Sequence, residues 1–193
     1  MMKRVGVLAL QGDFEAHREA LERVGALALE VRAKAQLAGL DGLVIPGGES
    51  TTMLRILKNQ ALLDPLRDFG RQRPIFGTCA GAILLAAEVA RPAQDSLGLV
   101  EIAVERNAYG RQLDSRVARL EPEEEFVRRA GPGVLEAVFI RAPIIRRVGP
   151  RALVHLRYQG HPVLVSDGPH LAATFHPELT ADPRVHKLFL EML

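Results

Sequence analysis

Hydrophobic positions along the chain follow two rhythms. Val5 to Leu10 is an unbroken apolar run, as in a strand covered on both faces. Gln11-Gly12 turns the chain. Asp13 is placed to cap a helix, and Phe14, His17, Leu21 and Val24 recur at helical spacing up to Gly25, which suits a helix C′ position. Leu27 to Val31 and Gly42 to Ile45 predict two more strands, the latter closed by Pro46-Gly47-Gly48. Ser50 is expected to cap a helix carrying Met53, Leu54, Ile56 and Leu57, and a further helix surrounds Leu62 to Phe69. Pro74-Ile75-Phe76 reads as a short strand and Ala80 to Val89 as a strongly apolar helix. Strands alternating with helices predict a mainly parallel sheet with helices on both faces.

The second half changes character. Leu99 to Val104, Val117 to Leu120, Val138 to Ile140, Leu153 to Leu156, Val163 to Val165 and Leu171 to Phe175 read as strands, some separated by turns such as Gln159-Gly160 and Asp167-Gly168-Pro169. Glu121 to Glu125 reads as a solvated acidic turn. The last helix, Asp182 to Leu193, places Val185, Leu188, Phe189 and Met192 on one face. There is no internal repeat, low-complexity tract or linker, so one domain over residues 1–193 is the simplest expectation.

Composition narrows the classes of function. The 193 residues are 48% hydrophobic and 25% charged, as in an ordinary soluble globular protein with enough apolar surface for a core. A net charge of +2 is a weak field, and Arg141 with Arg146 and Arg147 makes too short a cluster for nucleic-acid binding. No apolar run approaches about 18 residues, the length that spans a membrane. Met1-Met2-Lys3-Arg4 and the apolar run after it lead into Gln11-Gly12-Asp13, a turn and no cleavage site for a secretory signal. The single cysteine excludes an internal disulfide and, with six histidines, suits a reducing cytoplasm. No Cys or His pairing has metal-ligand spacing, and no phosphate-loop glycine pattern occurs, so neither a metal nor a cofactor is expected.

Candidate chemistry gathers at three strand ends. Gly77-Thr78-Cys79-Ala80-Gly81 has the form G-x-C-x-G, follows a short strand and opens an apolar helix, the cysteine version of a nucleophile elbow. The sharp turn exposes the central side chain, the glycines remove Cβ clashes, and a helix N-terminus favours a thiolate. The second end is Thr174-Phe175-His176-Pro177-Glu178. Residues two apart on an extended segment point the same way, so Glu178 can orient His176, and His176 can take the thiol proton. His17 falls on an apolar stripe and reads as packed or capping; His155, His161, His170 and His186 have no motif around them. The third end, Pro46-Gly47-Gly48-Glu49-Ser50-Thr51, offers backbone N–H groups to an anion, here the oxyanion of acyl transfer, with Ala80 N–H as a further donor. In a parallel sheet these ends converge at the carboxyl edge.

Gly47-Gly48-Glu49-Ser50, the elbow and His176-Pro177-Glu178, in that order and spacing, resemble the class I (triad) glutamine amidotransferases. The resemblance narrows to the glutaminase subunits of pyridoxal 5′-phosphate synthase. Gly6 to Gly12, Val104-Glu105-Arg106-Asn107 and on to Gln112, Phe139-Ile140-Arg141-Ala142-Pro143, and Thr174 to Thr180 carry it. It covers essentially the whole chain, with no departure at a catalytic position. Ile144 to Gly149 reads as a more variable turn on a partner-facing or lid side.

The resemblance implies a single three-layer, flavodoxin-like α/β domain. It also implies that Cys79 attacks the carboxamide of L-glutamine, His176 serves as base and then acid, and Glu178 orients His176. Gly47, Gly48 and Ala80 would form the oxyanion hole. Gly48, Glu49, Ser50, Arg106, Ile140 and Arg141 would hold the glutamine; an arginine suits its α-carboxylate and Glu49 its α-ammonium. Ammonia would pass to a separate (β/α)₈-barrel synthase subunit, in a complex of twelve copies of each, because the motifs from 47 to 178 leave no room for a second domain. That synthase builds pyridoxal 5′-phosphate from a pentose phosphate and glyceraldehyde 3-phosphate. The isolated chain would be nearly inactive until docking completes the oxyanion hole. The alternatives are a triad glutaminase serving another synthase and a non-amidase elbow-cysteine binding or chaperone-like protein. Loss of glutamine hydrolysis in Cys79→Ala separates the last from the rest.

Overall fold

The structure, a computed structural model, describes residues 1–106 and 115–193. Its first half runs β1 (Arg4–Leu8), α1 (Phe14–Arg23), β2 (Leu27–Val31), β3 (Gly42–Ile45), α2 (Ser50–Asn59), α3 (Leu63–Gly70), β4 (Ile75–Thr78) and α4 (Ala80–Leu85). There follow β5 (Ala86–Ala90), β6 (Val100–Glu105), β7 (Arg116–Leu120), α5 (Glu124–Ala130), β8 (Leu135–Phe139), β9 (Ile144–Val148), β10 (Leu153–Tyr158), β11 (His161–Asp167), β12 (His170–Ala173) and α6 (Arg184–Glu191).

A seven-stranded sheet in the order β10-β11-β12-β4-β3-β1-β2 forms the centre. Its β12-β4-β3-β1-β2 portion is parallel, and β11 and β10 extend it antiparallel. The period-2 alternation of strands sends neighbouring side chains to opposite layers. Leu43, Ile45 and Ile75 pack with Met53, Leu57, Leu66 and Leu84 of α2, α3 and α4, whereas Val44 and Phe76 pack with Leu21 of α1 and Leu188 and Phe189 of α6. The mostly parallel three-layer arrangement therefore follows from short central strands, β1, β3, β4 and β12, that are buried on both faces over nearly their whole length. No helix among the described residues is long and apolar enough to cross a membrane.

Four sequence expectations need correction. The apolar stretch from Ala80 is not one helix: α4 stops at Leu85 and Ala86–Ala90 is strand β5. The returning chain takes the last helical carbonyls, through Leu97 N to Leu84 O (2.7 Å) and Leu99 N to Leu85 O (2.9 Å), while Ser96 Oγ donates to Ala86 O. Ile144 to Val148 is strand β9, antiparallel to β6, and not a turn. Its Ile145 sits in the core, so the segment is held by burial. The acidic run continues into helix α5, where Glu124 and Glu125 occupy the first turn and Arg128 and Arg129 the last, the arrangement the helix dipole favours. Finally, the cap of α2 is Glu49 and not Ser50: its carboxylate accepts from Thr51 N (3.0 Å) and Thr52 N (2.7 Å). Asp13 does occupy the N-cap position of α1, but its side chain makes no capping hydrogen bond.

The parallel strands β1, β3, β4 and β12 all end at one edge. Gln11 to Asp13, Gly47 to Glu49, Cys79 and His176 follow directly from those ends, so the topology delivers the three motifs to one place.

Candidate active site

Cys79 joins β4 to α4 with φ 49° and ψ −104°, a conformation rarely adopted by a residue with a side chain and stored typically at functional sites. The packing around it explains the flanking glycines. A Cβ on Gly77 would lie 2.5 Å from the Gly81 carbonyl oxygen, and one on Gly81 would lie 2.0 Å from the Ile45 carbonyl oxygen. Only glycine lets α4 pass this close beneath β3 and β4. Cys79 N donates to Ala173 O of β12 (2.8 Å), which pins the turn to the neighbouring strand.

His176 follows β12, and its backbone N–H donates to Val138 O of β8 (2.8 Å). Its Nδ1 is 2.8 Å from Glu178 Oε1. The spacing predicts an extended segment for this pair; in the molecule Pro177–Leu179 is a 3₁₀ turn, and that turn folds the carboxylate back to Nδ1. Burial opposes a charge on His176. Hydrogen bonds to Cys79 and Glu178, with the charges of both, outweigh it and raise the imidazole pKa to about 10. A Cβ on Gly47 would meet His176 Cε1 at 2.5 Å and Cys79 Cβ at 3.4 Å, so the glycine backbone lies directly against both groups.

Beside them opens a cavity of about 290 Å³. Gly47, Gly48, Cys79 and His176 form one part of its wall, and Glu49, Ser50, Arg106, Ile140 and Arg141 another. Apart from Ala80 and Glu178, every residue singled out for the site therefore lines this cavity. Ala80 is the first residue of α4, next to Cys79, and Glu178 is buried behind His176. Partial burial would raise the Glu49 pKa, but hydrogen bonds from Thr52 and Thr51 outweigh it and hold the carboxyl down at about 2. Arg106 is buried, with an NH2 group 2.7 Å from Thr51 Oγ1 and 3.5 Å from Glu49 Oε1. A fixed anion and a fixed guanidinium thus stand together at the wall. Ser50 is buried and donates to Gln94 Oε1 (3.1 Å). Arg141 is exposed and has φ 46°, a second strained non-glycine residue in the wall. Ile140 O lies 3.8 Å from Cys79 Sγ. Of the Val104-to-Gln112 segment, residues 107–112 lie outside the described residues.

Sequence reading missed several contributors. Gln11 Nε2 donates to Glu49 O (2.6 Å), bracing the glycine turn from the first strand. Gly12 has φ 78°, and a Cβ there would sit 1.9 Å from Gly47 O, so the two backbones also touch directly at this point. His17, read as packed or capping, has Nε2 3.2 Å from Glu178 Oε2 with both side chains fully buried. Its signal was a polar residue on the apolar face of a helix, which needs a partner when buried.

Comparison with known proteins assigns a site of this geometry first to a class and then to a family. The model of the SNO glutamine amidotransferase family matches residues 7–193. The chain is a glutamine amidotransferase of that kind: it belongs to the SNO glutamine amidotransferase family. It is 60% identical over 192 residues to pyridoxal 5′-phosphate synthase subunit PdxT of Solibacter usitatus, covering 100% of both chains. It is 50% identical over 191 residues to the PdxT subunit of Thermus thermophilus, covering 97% of this chain and 96% of that one. A solved glutamine amidotransferase structure superposes with a TM-score of 0.87 at 49% identity, covering 97% of each chain. The PurLQS structure from Thermotoga maritima, at 17% identity and a TM-score of 0.73, shares the fold.

Proposed function

We propose that the chain is the glutaminase subunit of a pyridoxal 5′-phosphate synthase: it hydrolyses L-glutamine to L-glutamate and ammonia and hands the ammonia to a synthase partner for vitamin B6 synthesis. The observation that carries the chemistry is the strained Cys79 beside an imidazole that a buried carboxylate holds at 2.8 Å. The relatives named as synthase subunits, matched over their full length, support the partner.

In this reading His176 takes the Cys79 proton, and the thiolate adds to the side-chain carboxamide carbon of glutamine. The oxyanion is received by backbone groups of Gly47, Gly48 and Ala80. His176 then returns its proton to the leaving nitrogen, ammonia departs and a thioester remains on Cys79. Water, deprotonated by His176, attacks the thioester; glutamate leaves and the thiol is restored. Glu178 keeps the imidazole in one orientation throughout and stabilises its charged form. Glu49 faces the α-ammonium, and Arg106 or Arg141 faces the α-carboxylate, while Gly48, Ser50 and Ile140 shape the wall. The reaction runs in the cytoplasm, within one catalytic domain.

Glutamate release from glutamine, measured with and without the barrel synthase subunit, tests the proposal. Release is expected mainly with the partner and is abolished in Cys79→Ala. Unchanged hydrolysis in Cys79→Ala would remove the triad assignment, and silence in both mixtures would reopen the identity of the partner.

A further inference from the structure

The buried side of the triad holds polar groups that take no direct part in the steps of glutamine hydrolysis. Glu178 is wedged between two imidazoles, with Oε1 2.8 Å from His176 Nδ1 and Oε2 3.2 Å from His17 Nε2. His17 Nε2 also lies 3.0 Å from Oγ1 of Thr78, the residue before the nucleophile, and His17 Nδ1 lies 3.1 Å from His186 Nε2. His17, Thr78, Glu178 and His186 are all buried. Oε2 receives no well-directed hydrogen bond among the described residues, so His17 is the polar group facing it.

The protons on this chain can be placed. Burial, then the neighbouring His186 and His176, lower the His17 pKa well below the usual imidazole value, so the ring carries one proton at neutral pH. A bare Nε2 lone pair 3.2 Å from a buried carboxylate oxygen would be repelled, which puts the proton on Nε2. Nδ1 is then an acceptor, and His186 Nε2 must donate to it. Burial also lowers the His186 pKa, to about 4, so His186 donates as a neutral ring.

We propose that His17 is a positioning residue for glutamine hydrolysis: its Nε2–H, aimed by His186, fixes the second oxygen of Glu178 and, through Glu178, the orientation of His176. Thr78 shares the same N–H, so one helix residue ties the orienting carboxylate to the elbow. This role rests on the triad reading of the preceding section. A packing role alone would need neither the proton on Nε2 nor the contact with Oε2.

The test uses the chain saturated with its synthase partner and follows glutamate release. His17→Leu keeps the apolar volume but leaves Oε2 without a facing N–H. Its kcat is expected to fall about ten- to a hundredfold, the range found when an outer polar group that orients a metal-bound imidazole is removed, with KM unchanged. In a Glu178→Gln background the same substitution should add little, because His17 acts through Glu178. His17→Gln, whose amide nitrogen reaches the Nε2 position, should recover most of the loss, and the shorter His17→Asn should not. An unchanged kcat in His17→Leu overturns the proposal, as does an equal loss in the Glu178→Gln background. If His17→Leu does not fold, equal kcat in the Gln and Asn variants overturns it. Inactive wild-type protein would instead count against the glutaminase reading itself.

Discussion

At the carboxyl edge of the large sheet, backbone presses on backbone; on the outer face of the β5-β6-β9 sheet, long charged side chains pair with one another directly. The edge is held by contacts that leave no space. Gly12 sits under Gly47, Gly81 under Ile45, and Gly47 against His176. The small sheet packs Val100, Ile102, Val104 and Ile145 inward and lays Arg91–Glu105, Arg146–Glu105 and Arg147–Glu88 pairs outward. The first kind of contact admits one residue type and one geometry. The second is screened by salt, tolerates exchange and fixes nothing to an ångström. The same fold thus concentrates its intolerance where atoms must react.

The largest effect should come from the edge. Gly81→Ala forces a methyl into the Ile45 carbonyl oxygen and is expected to lose about 3 kcal/mol, lowering Tm by roughly 6–12 °C in a thermal melt. A melt within a degree or so of wild type would mean that α4 can retreat from β3, and the comparison would lose its sharper half.

A smaller effect on the fold, but a large one on rate, is expected for Glu178→Gln. The carboxylate favours the charged imidazole, so removing it lowers the His176 pKa from about 10 towards the ordinary value. The alkaline limb of kcat/KM should move to lower pH, and kcat should fall by about two to four orders of magnitude. A pH–rate profile with an unmoved alkaline limb would remove Glu178 from its assigned role.

The smallest effect belongs to the outer sheet. Arg147 and Glu88 pair at 2.6 Å with side chains 52% and 65% exposed. A double-mutant cycle with Arg147→Ala and Glu88→Ala should return a coupling of about 0.2–1 kcal/mol that fades with added salt. Salt-independent coupling would place this face nearer to the edge in kind.

What could be read from the sequence divides along similar lines. The elbow and its glycines were legible because strain and close approach demand particular residues at fixed spacing. His176 and Glu178 were legible as partners, though the 3₁₀ turn joining them was not, since Pro177 fits both an extended segment and a turn. The switch from α4 to β5 was hidden, because an apolar run alone cannot tell helix from strand; the carbonyls of Leu84 and Leu85 are claimed by residues more than ten positions on. Glu49 was passed over as the cap because serine is the commoner capping residue, while its neighbour Ser50 turned out to face Gln94. His17 was read as packed or capping, and it is indeed buried; its polar partners could not be read, because Thr78 and His186 lie 61 and 169 positions away.

That last separation has a consequence for how the protein comes into being. The chain of contacts behind the nucleophile begins on the first helix and closes on the last, 169 residues later. Such distant pairings form late in folding, after the loops between them have closed. During synthesis on the ribosome Cys79 therefore emerges before His176, Glu178 and His186 have been made, and the chain of contacts behind it closes only when α6 docks. The reactive centre is the signature of a finished molecule, and a thiol probe that distinguishes it would report the final step of folding.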